Sequence, residues 1–174
     1  TNSGQVQNNN PNKKIFFWNN RNARRKQSGT LVWWFKEWLD KVGHDKATLV
    51  MHTDAQDPHG QDLNHIVERL GLDSDRQVLF STQKVPLEQM NTFYRMADVT
   101  INISDAEGFG LATLESLSCA TPIIATATGG LQEQVLGPKG ENGVAIFPSS
   151  KAIIGSQQVP YIYEDRISKD SFIS

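Results

Sequence analysis

The chain has 174 residues, 38% of them hydrophobic, and a formal net charge of −2, enough for one ordinary domain that buries roughly 70% of its unfolded surface without disulfides. The slightly negative charge excludes a general nucleic-acid or anionic-membrane binder, and a single cysteine, Cys119, excludes a disulfide scaffold or a cysteine-based zinc site. No apolar run approaches the roughly 18 residues of a membrane span and no signal segment opens the chain, so a cytoplasmic protein is expected, peripheral to a membrane at most in its full-length form.

Residues 1–12 hold five Asn, two Gln and no charge. With only Val6 to bury they are expected to form a loose tail or linker, leaving a domain over residues 13–174. A first strand is expected at 14–18 (KIFFW), followed by a basic run. Leu31, Trp34, Phe35, Trp38, Leu39 and Val42 then form one helical stripe. Trp33 falls off that stripe and reads as a surface residue or as one facing material outside this chain. Further strands are expected at 48–52 (TLVMH), 77–81 (QVLFS), 99–104 (VTINIS), 122–126 (PIIAT) and 143–147 (GVAIF). A helix at 63–70 ends at Gly71, a plausible C-cap. Pro86 opens another, whose Leu87, Met90, Phe93, Tyr94 and Ala97 fit a buried face. Leu111, Leu114 and Leu117 mark the next, and 131–136 a short one. Ser168 reads as the N-cap of a helix whose first turn ends the sequence, so the domain is expected to be cut short there. Continuously apolar strands alternating with helices predict an α/β, doubly wound parallel sheet of about six strands. Ligands of such sheets bind beyond the carboxyl ends of the strands.

Three segments at those ends carry chemistry. After the fourth strand comes Asp105-Ala106-Glu107-Gly108-Phe109-Gly110, opening the helix that bears Glu115. Gly108 and Gly110 permit a tight turn and close approach to a ligand. The amides of Phe109, Gly110 and Leu111, taken as the first of that helix, form an anion site. Glu107 and Glu115, placed on one helix, would be roughly 12 Å apart in rise and about 80° in rotation. That is too far for a glycosidase pair, whose carboxyls sit ~5 to 9.5 Å apart, but it suits an elongated ligand with hydroxyls at both ends and an anion between, such as a nucleotide-sugar. After the first strand, Arg21, Arg24, Arg25 and Lys26 put four cations into six residues, a phosphate site in an otherwise acidic chain. Thr128-Gly129-Gly130 precede the helix bearing Glu133, and the glycine pair again permits close backbone approach. His52, Asp54, Asp57 and His59 share one loop but make no convincing metal cluster, so neither metal nor cofactor is expected. No Gly-x-Gly-x-x-Gly follows the first strand and no Gly-x-Ser-x-Gly occurs, which disfavours a nicotinamide oxidoreductase or a nucleophile-elbow hydrolase.

The run from Glu107 to Glu115 resembles the Glu-x7-Glu motif of retaining glycosyltransferases with the GT-B fold, above all the large family 4. Residues 118–125 (SCATPIIA) resemble its small-residue turn and Pro-led strand, Thr128–Glu133 its Gly-Gly-x-x-Glu segment, and Arg21 with Lys26 its Arg-x4-Lys pair. The resemblance implies a Rossmann-like, donor-binding lobe of a two-lobed enzyme, with the acceptor lobe preceding it and absent from this chain. It implies that Glu107 and the amides of Phe109, Gly110 and Leu111 hold the donor sugar and its phosphate. Glu115 would accept the ribose hydroxyls, and Arg21 and Lys26 would neutralise the diphosphate, replacing the metal of Asp-rich transferases. The base would rest along Thr82, Lys84 and Val85, with Gly129 and Gly130 beside the donor. The donor would be a UDP- or GDP-sugar transferred to a hydroxyl with anomeric retention, and the chain alone would be inactive. Two departures stand out. Gln27 occupies the place of the family's glycine after its lysine, and residues 51–54 (MHTD) replace a Gly-x-Gly, so that His52 or Thr53 would supply a side-chain contact. Still open are a sugar-nucleotide epimerase, a glycan phosphorylase lobe of the same fold, and a noncatalytic nucleotide-binding module.

Overall fold

In a computed structural model, residues 11–140 and 142–174 are described. Most of the tail expected at 1–12 therefore lies outside the described residues. The rest alternates strand and helix in the expected order. Strands β1 (Lys14–Asn19), β2 (Ala47–His52), β3 (Val78–Ser81), β4 (Val99–Asn102), β5 (Ile123–Thr126) and β6 (Gly143–Ile146) form one all-parallel sheet in the order β3-β2-β1-β4-β5-β6. Each falls within two residues of its expected bounds.

Helices cover both faces because the strands are apolar on both. Alternate residues of β1 point opposite ways. Trp18 joins Leu49, Met51 and Ile101 in a core closed by α1 (Ser28–Val42) and α2 (Leu63–Arg69). Ile15 and Phe17 face the other way, onto Met90 and Tyr94 of α3 (Leu87–Met96). On that same side Leu131 and Val135 of α5 (Leu131–Leu136) pack on β5, with Leu117 of α4 (Leu111–Ser118) beside them. The buried face of α4 is not its leucine row: Leu111 and Leu114 are exposed, and the small polar Thr113 and Ser116 face inward. Ser116 donates to the Thr121 carbonyl oxygen and pairs with the Thr100 hydroxyl, so the helix lies close on β4. Leu87, expected on the buried face of α3, is likewise exposed. Gly71 takes φ +68 just beyond the end of α2, the left-handed exit expected of it.

Two elements lie outside the sheet. Ser168 caps α6 (Lys169–Ile173), accepting from the Ser171 amide. This helix docks on α1 through Phe172, whose ring lies 5.6 Å from that of Trp34. Trp33 faces the same helix, with the Lys169 ammonium 5.2 Å above its ring, so its partner is within this chain. The second is an antiparallel hairpin, β7 (Ser150–Ile153) with β8 (Tyr163–Arg166). Nothing in the sequence pattern announced it.

Candidate functional site

The strand order reverses between β1 and β4. The chain leaves β1 for α1 on one face and leaves β4 for α4 on the other, which opens a crevice between the two departing loops. Those loops carry the basic run and the Glu107 segment.

Each cation of the basic run has its own acceptor. A 3-10 turn at Arg24–Lys26 directs Lys26 inward, where its ammonium donates to Glu107 Oε2. Both partners are deeply set, with side chains 10% and 11% exposed. Burial pushes the Lys26 ammonium below its ordinary pKa and Glu107 pulls it back. Arg25 donates to the Ala106 carbonyl oxygen at 2.9 Å, and its guanidinium lies 3.9 Å from Glu107. Arg24 makes a two-point contact with Glu164 of the hairpin, at 3.0 and 2.8 Å. Arg21, its side chain 60% exposed, reaches the opposite way to Asp57 at 2.9 Å and to His59 Nδ1 at 2.8 Å. The structure thus joins Lys26 to Glu107 across the crevice and gives Arg21 a separate anchor at its rim. His59 and Asp57 are committed to that anchor. Among the described residues no group of three or more His, Cys, Asp or Glu side chains is arranged to hold a metal ion.

The backbone under these contacts is unusual at one non-glycine position. Gln27 adopts φ +58, the left-handed conformation glycine takes without Cβ strain. This is the position at which the sequence departs from the glycine it resembles. Its side chain offsets the strain, donating to Asp105 Oδ2 at 2.6 Å and accepting from the Thr30 hydroxyl at 2.7 Å. Asp105, buried and pushed above the usual carboxylate range by that burial, also meets Arg166 at 3.0 Å. Arg166 continues to Glu164, and Glu164 to Arg24. A chain of alternating charge therefore ties the hairpin to both loops. The Asp165 amide donates to the Asp105 carbonyl oxygen and the Thr128 hydroxyl to Asp165 Oδ2, adding two further ties.

Glu107 is not on the helix that bears Glu115. Helix α4 begins at Leu111, with Gly110 as its N-cap at φ +77, so the eight-residue spacing does not translate into the helical rise and rotation expected of it. The glycine-rich turn breaks the helix before it reaches Glu107, which leaves Glu107 free to turn into the crevice. The first helical amides are accordingly those of Leu111, Ala112 and Thr113, rather than Phe109 to Leu111. Among the described residues no side chain caps them, so this end of α4 keeps unsatisfied donors and partial positive charge. Phe109 is exposed, and its carbonyl oxygen is held by the Gln134 amide.

The glycine pair after β5 serves the protein's own backbone. A Cβ on Gly129, at φ +49, would lie 1.8 Å from the Glu107 carbonyl oxygen, and the Gly130 amide donates to that oxygen at 3.1 Å. Gly129 and Gly130 thus let β5's exit loop press against the Glu107 turn and hold it from behind. Gly108, by contrast, has open space where its Cβ would be.

The remaining candidates line the carboxyl edge of the sheet farther out. Asn19, His52 and Ser81 stand level across β1, β2 and β3, spanning about 10 Å at ordinary strand spacing. His52 shares a hydrogen bond with the Ser81 hydroxyl at 3.0 Å and leans on Phe93; burial lowers its pKa. Thr82 and Lys84 are exposed and Val85 packs under α3, all just after the edge strand. Among the described residues none of the three hydrogen-bonds to the loops after β1 and β4. Glu115 is half-buried on α4, and its Oε2 accepts from the Tyr94 hydroxyl at 2.9 Å.

Asn22 organises the site and was passed over in the sequence. It is fully buried, donating to the Gln61 and Asp54 carbonyl oxygens at 2.6 and 3.2 Å and accepting from the Ser28 hydroxyl at 2.7 Å. It fastens the loop after β2 to the start of α1. A lone Asn among polar loop residues has no periodicity to reveal it. Glu164 and Arg166 were hidden for a similar reason, in a polar segment, YEDR, without strand-like alternation.

The profile of the family described as glycosyl transferases group 1 matches residues 13–157. A D-inositol 3-phosphate glycosyltransferase of Corynebacterium jeikeium is 35% identical over 106 residues, covering 59% of this chain and 25% of that enzyme. Sucrose-phosphate synthase from Thermosynechococcus elongatus superposes with a TM-score of 0.66 at 27% identity, over 86% of this chain and 36% of that one. The C-terminal domain of a glycosyl transferase group 1 family protein from Francisella tularensis does so with a TM-score of 0.59 at 24% identity, over 86% of this chain and 76% of that one. The chain spans 13% to 29% of the length of the curated relatives it matches.

Two outcomes follow from the geometry. Gly129→Ala should cost about 2 kcal/mol or more in urea unfolding, since the methyl group meets the Glu107 carbonyl oxygen at a strained φ; an unchanged midpoint would contradict the packing. Arg21 and the His59 amide hold the Asp57 carboxyl down to about 2. A carboxylate so depressed stabilises the fold above its unfolded pKa and loses that contribution as pH falls. The stability gap between wild type and Asp57→Asn should therefore be level above about pH 5 and close as pH falls through 3.8 toward about 2; a gap independent of pH would mean that Arg21 is not paired there.

Proposed function

The chain belongs to the glycosyl transferases group 1 family, and from that premise we propose that it binds the nucleoside-diphosphate sugar donor, a UDP- or GDP-sugar, in the crevice between the loops after β1 and β4. Its Rossmann-like sheet is that of a GT-B glycosyltransferase lobe. The observation that carries the reading is the Lys26–Glu107 pair, set in the crevice where the uncapped N-terminus of α4 begins. The wall after β1 supplies a buried cation, and the wall after β4 supplies helix-terminal amides for phosphate together with a carboxylate able to accept from sugar hydroxyls.

In the proposed reaction the bond from the anomeric carbon to the diphosphate oxygen breaks. A bond to the acceptor's hydroxyl oxygen forms on the same face, and the hydroxyl proton passes to the departing diphosphate oxygen. Negative charge then grows on the departing diphosphate. Lys26 and the amides of Leu111 to Thr113 are fixed donors for that charge and need no reorganisation as it develops. Arg21 would release Asp57 to reach a phosphate, an exchange its exposure permits. In this proposal the two cations take the place of a divalent metal. Glu115 receives the ribose, and the loop from Thr82 to Val85 lies under the base. Acceptor contacts come from a second lobe.

Calorimetry with uridine, guanosine, adenosine and thymidine diphosphates tests the reading. At least one should bind, and Glu115→Ala should weaken it by about tenfold, the size of a hydrogen bond to a charged group. Arg21→Ala and Lys26→Ala should weaken diphosphates more than the parent nucleoside. Thermal unfolding run alongside checks that Lys26→Ala, which strands Glu107, is folded. Absence of binding by all four nucleotides would overturn the assignment.

A further inference from the structure

We propose that Tyr94 is a positioning residue that fixes the Glu115 carboxylate toward the ribose of a bound nucleotide, an inference resting on the donor-site reading above. Tyr94 was read from the sequence as part of the apolar face of α3, and its ring is indeed fully buried. The edge-to-face contact with Phe17, 5.2 Å between centroids at 84°, holds the ring on one side. The Thr121 hydroxyl donates to its carbonyl oxygen at 2.6 Å. Its hydroxyl, however, sits at the seam between α3 and α4 with two polar partners. Asn19 Nδ2 donates to it at 2.9 Å, and Glu115 Oε2 lies 2.9 Å away.

The direction of the phenol proton follows from the chemistry of those partners. An amide nitrogen only donates and an ionised carboxylate only accepts. Asn19 occupies the acceptor side of the hydroxyl, so its single proton points at Glu115. Burial raises the phenol's pKa and keeps the proton in place at all ordinary pH values. Glu115 Oε2 is therefore tied to a rigid donor. Among the described residues no side chain donates to Oε1. A half-buried carboxylate held by one oxygen presents the other in a fixed direction, which is what recognition of a vicinal diol requires. Asn19 stands at the carboxyl end of β1, level with His52, so the relay Asn19–Tyr94–Glu115 runs from the sheet's ligand edge onto α4.

The test compares uridine and guanosine diphosphates with their 2′,3′-dideoxy counterparts by calorimetry on this 174-residue chain. Wild type should prefer the ribo form of the nucleotide it binds by about tenfold, and Tyr94→Phe should reduce that ratio to about threefold while leaving pyrophosphate affinity within about twofold. In the Glu115→Ala background Tyr94→Phe should change the ratio no further, because Tyr94 acts through Glu115. A Tyr94→Phe protein that keeps the full wild-type ratio overturns the positioning role while the donor-site reading stands. A wild type without ribo preference overturns the ribose assignment of Glu115 and this inference with it, while retained nucleotide binding would leave the phosphate site intact. Should Tyr94→Phe fail to fold, Asn19→Ala removes the donor that aims the phenol proton from a half-exposed position and should lower the same ratio; an unchanged ratio there overturns the relay.

Discussion

The contact between Lys26 and Glu107 closes a gap that the topology opens. After β1 the chain departs toward one face of the sheet and after β4 toward the other, and beyond the β1–β4 pairing the two exits are joined by contacts between the loops, the Asp105 amide donating to the Arg25 carbonyl oxygen at 2.8 Å among them. Lys26 and Glu107 join them with opposite charges set deep in the crevice. Taking two charges out of water is costly, and only close pairing with further hydrogen bonds compensates. Much of the surrounding structure supplies that closeness. Gly130 fixes the Glu107 backbone from behind, Gly129 permits the approach, and the 3-10 turn with Gln27 in a left-handed conformation delivers Lys26.

The same constraint explains the hairpin β7–β8. Its Glu164 and Arg166 have no part in the sheet, yet they link Arg24 of one loop to Asp105 of the other through alternating charges. Asp105 in turn receives the Gln27 side chain, which makes Gln27 tolerable where a glycine would be free of strain. Two of the four cations in the basic run are thereby spent on architecture, Arg24 on the hairpin and Arg25 on the Ala106 carbonyl oxygen. Lys26 and Arg21 are left facing the crevice and its rim. In the proposed reaction the leaving diphosphate would be stabilised by charge already in place, and the clamp keeps the loop that bears Lys26 so.

The sheet, its helices and the ligand edge were legible because continuous apolar runs and 3.6-residue periodicity are local signals. The motif from Glu107 to Glu115 was legible too, but its geometry was misread: Gly108 and Gly110 hid the fact that the helix starts only at Leu111. The sequence suggests room for a ligand at its glycine pair, whereas at Gly129 the room is filled by the protein's own carbonyl. Asn22, Glu164 and Arg166 are invisible in the sequence because the contacts that join the loops reach partners 32 to 140 residues distant. Tyr94 was half-legible. Its spacing placed the ring in the core, and no pattern could say that its hydroxyl would meet Glu115.

In the proposed function, the crevice joined by Lys26 and Glu107 is where a nucleoside diphosphate binds. A titration of the isotopically labelled chain with UDP and GDP, followed by amide and lysine ammonium NMR signals, tests it most directly. Saturable shifts should concentrate on Arg21 to Gln27, Glu107 to Thr113 and Gly129 to Gly130, with the Lys26 ammonium among the largest. Shifts centred elsewhere, for example on the open groove lined by Asn64, Val67 and Leu72 on α2 and the turn after it, with Lys26 unmoved, would contradict it.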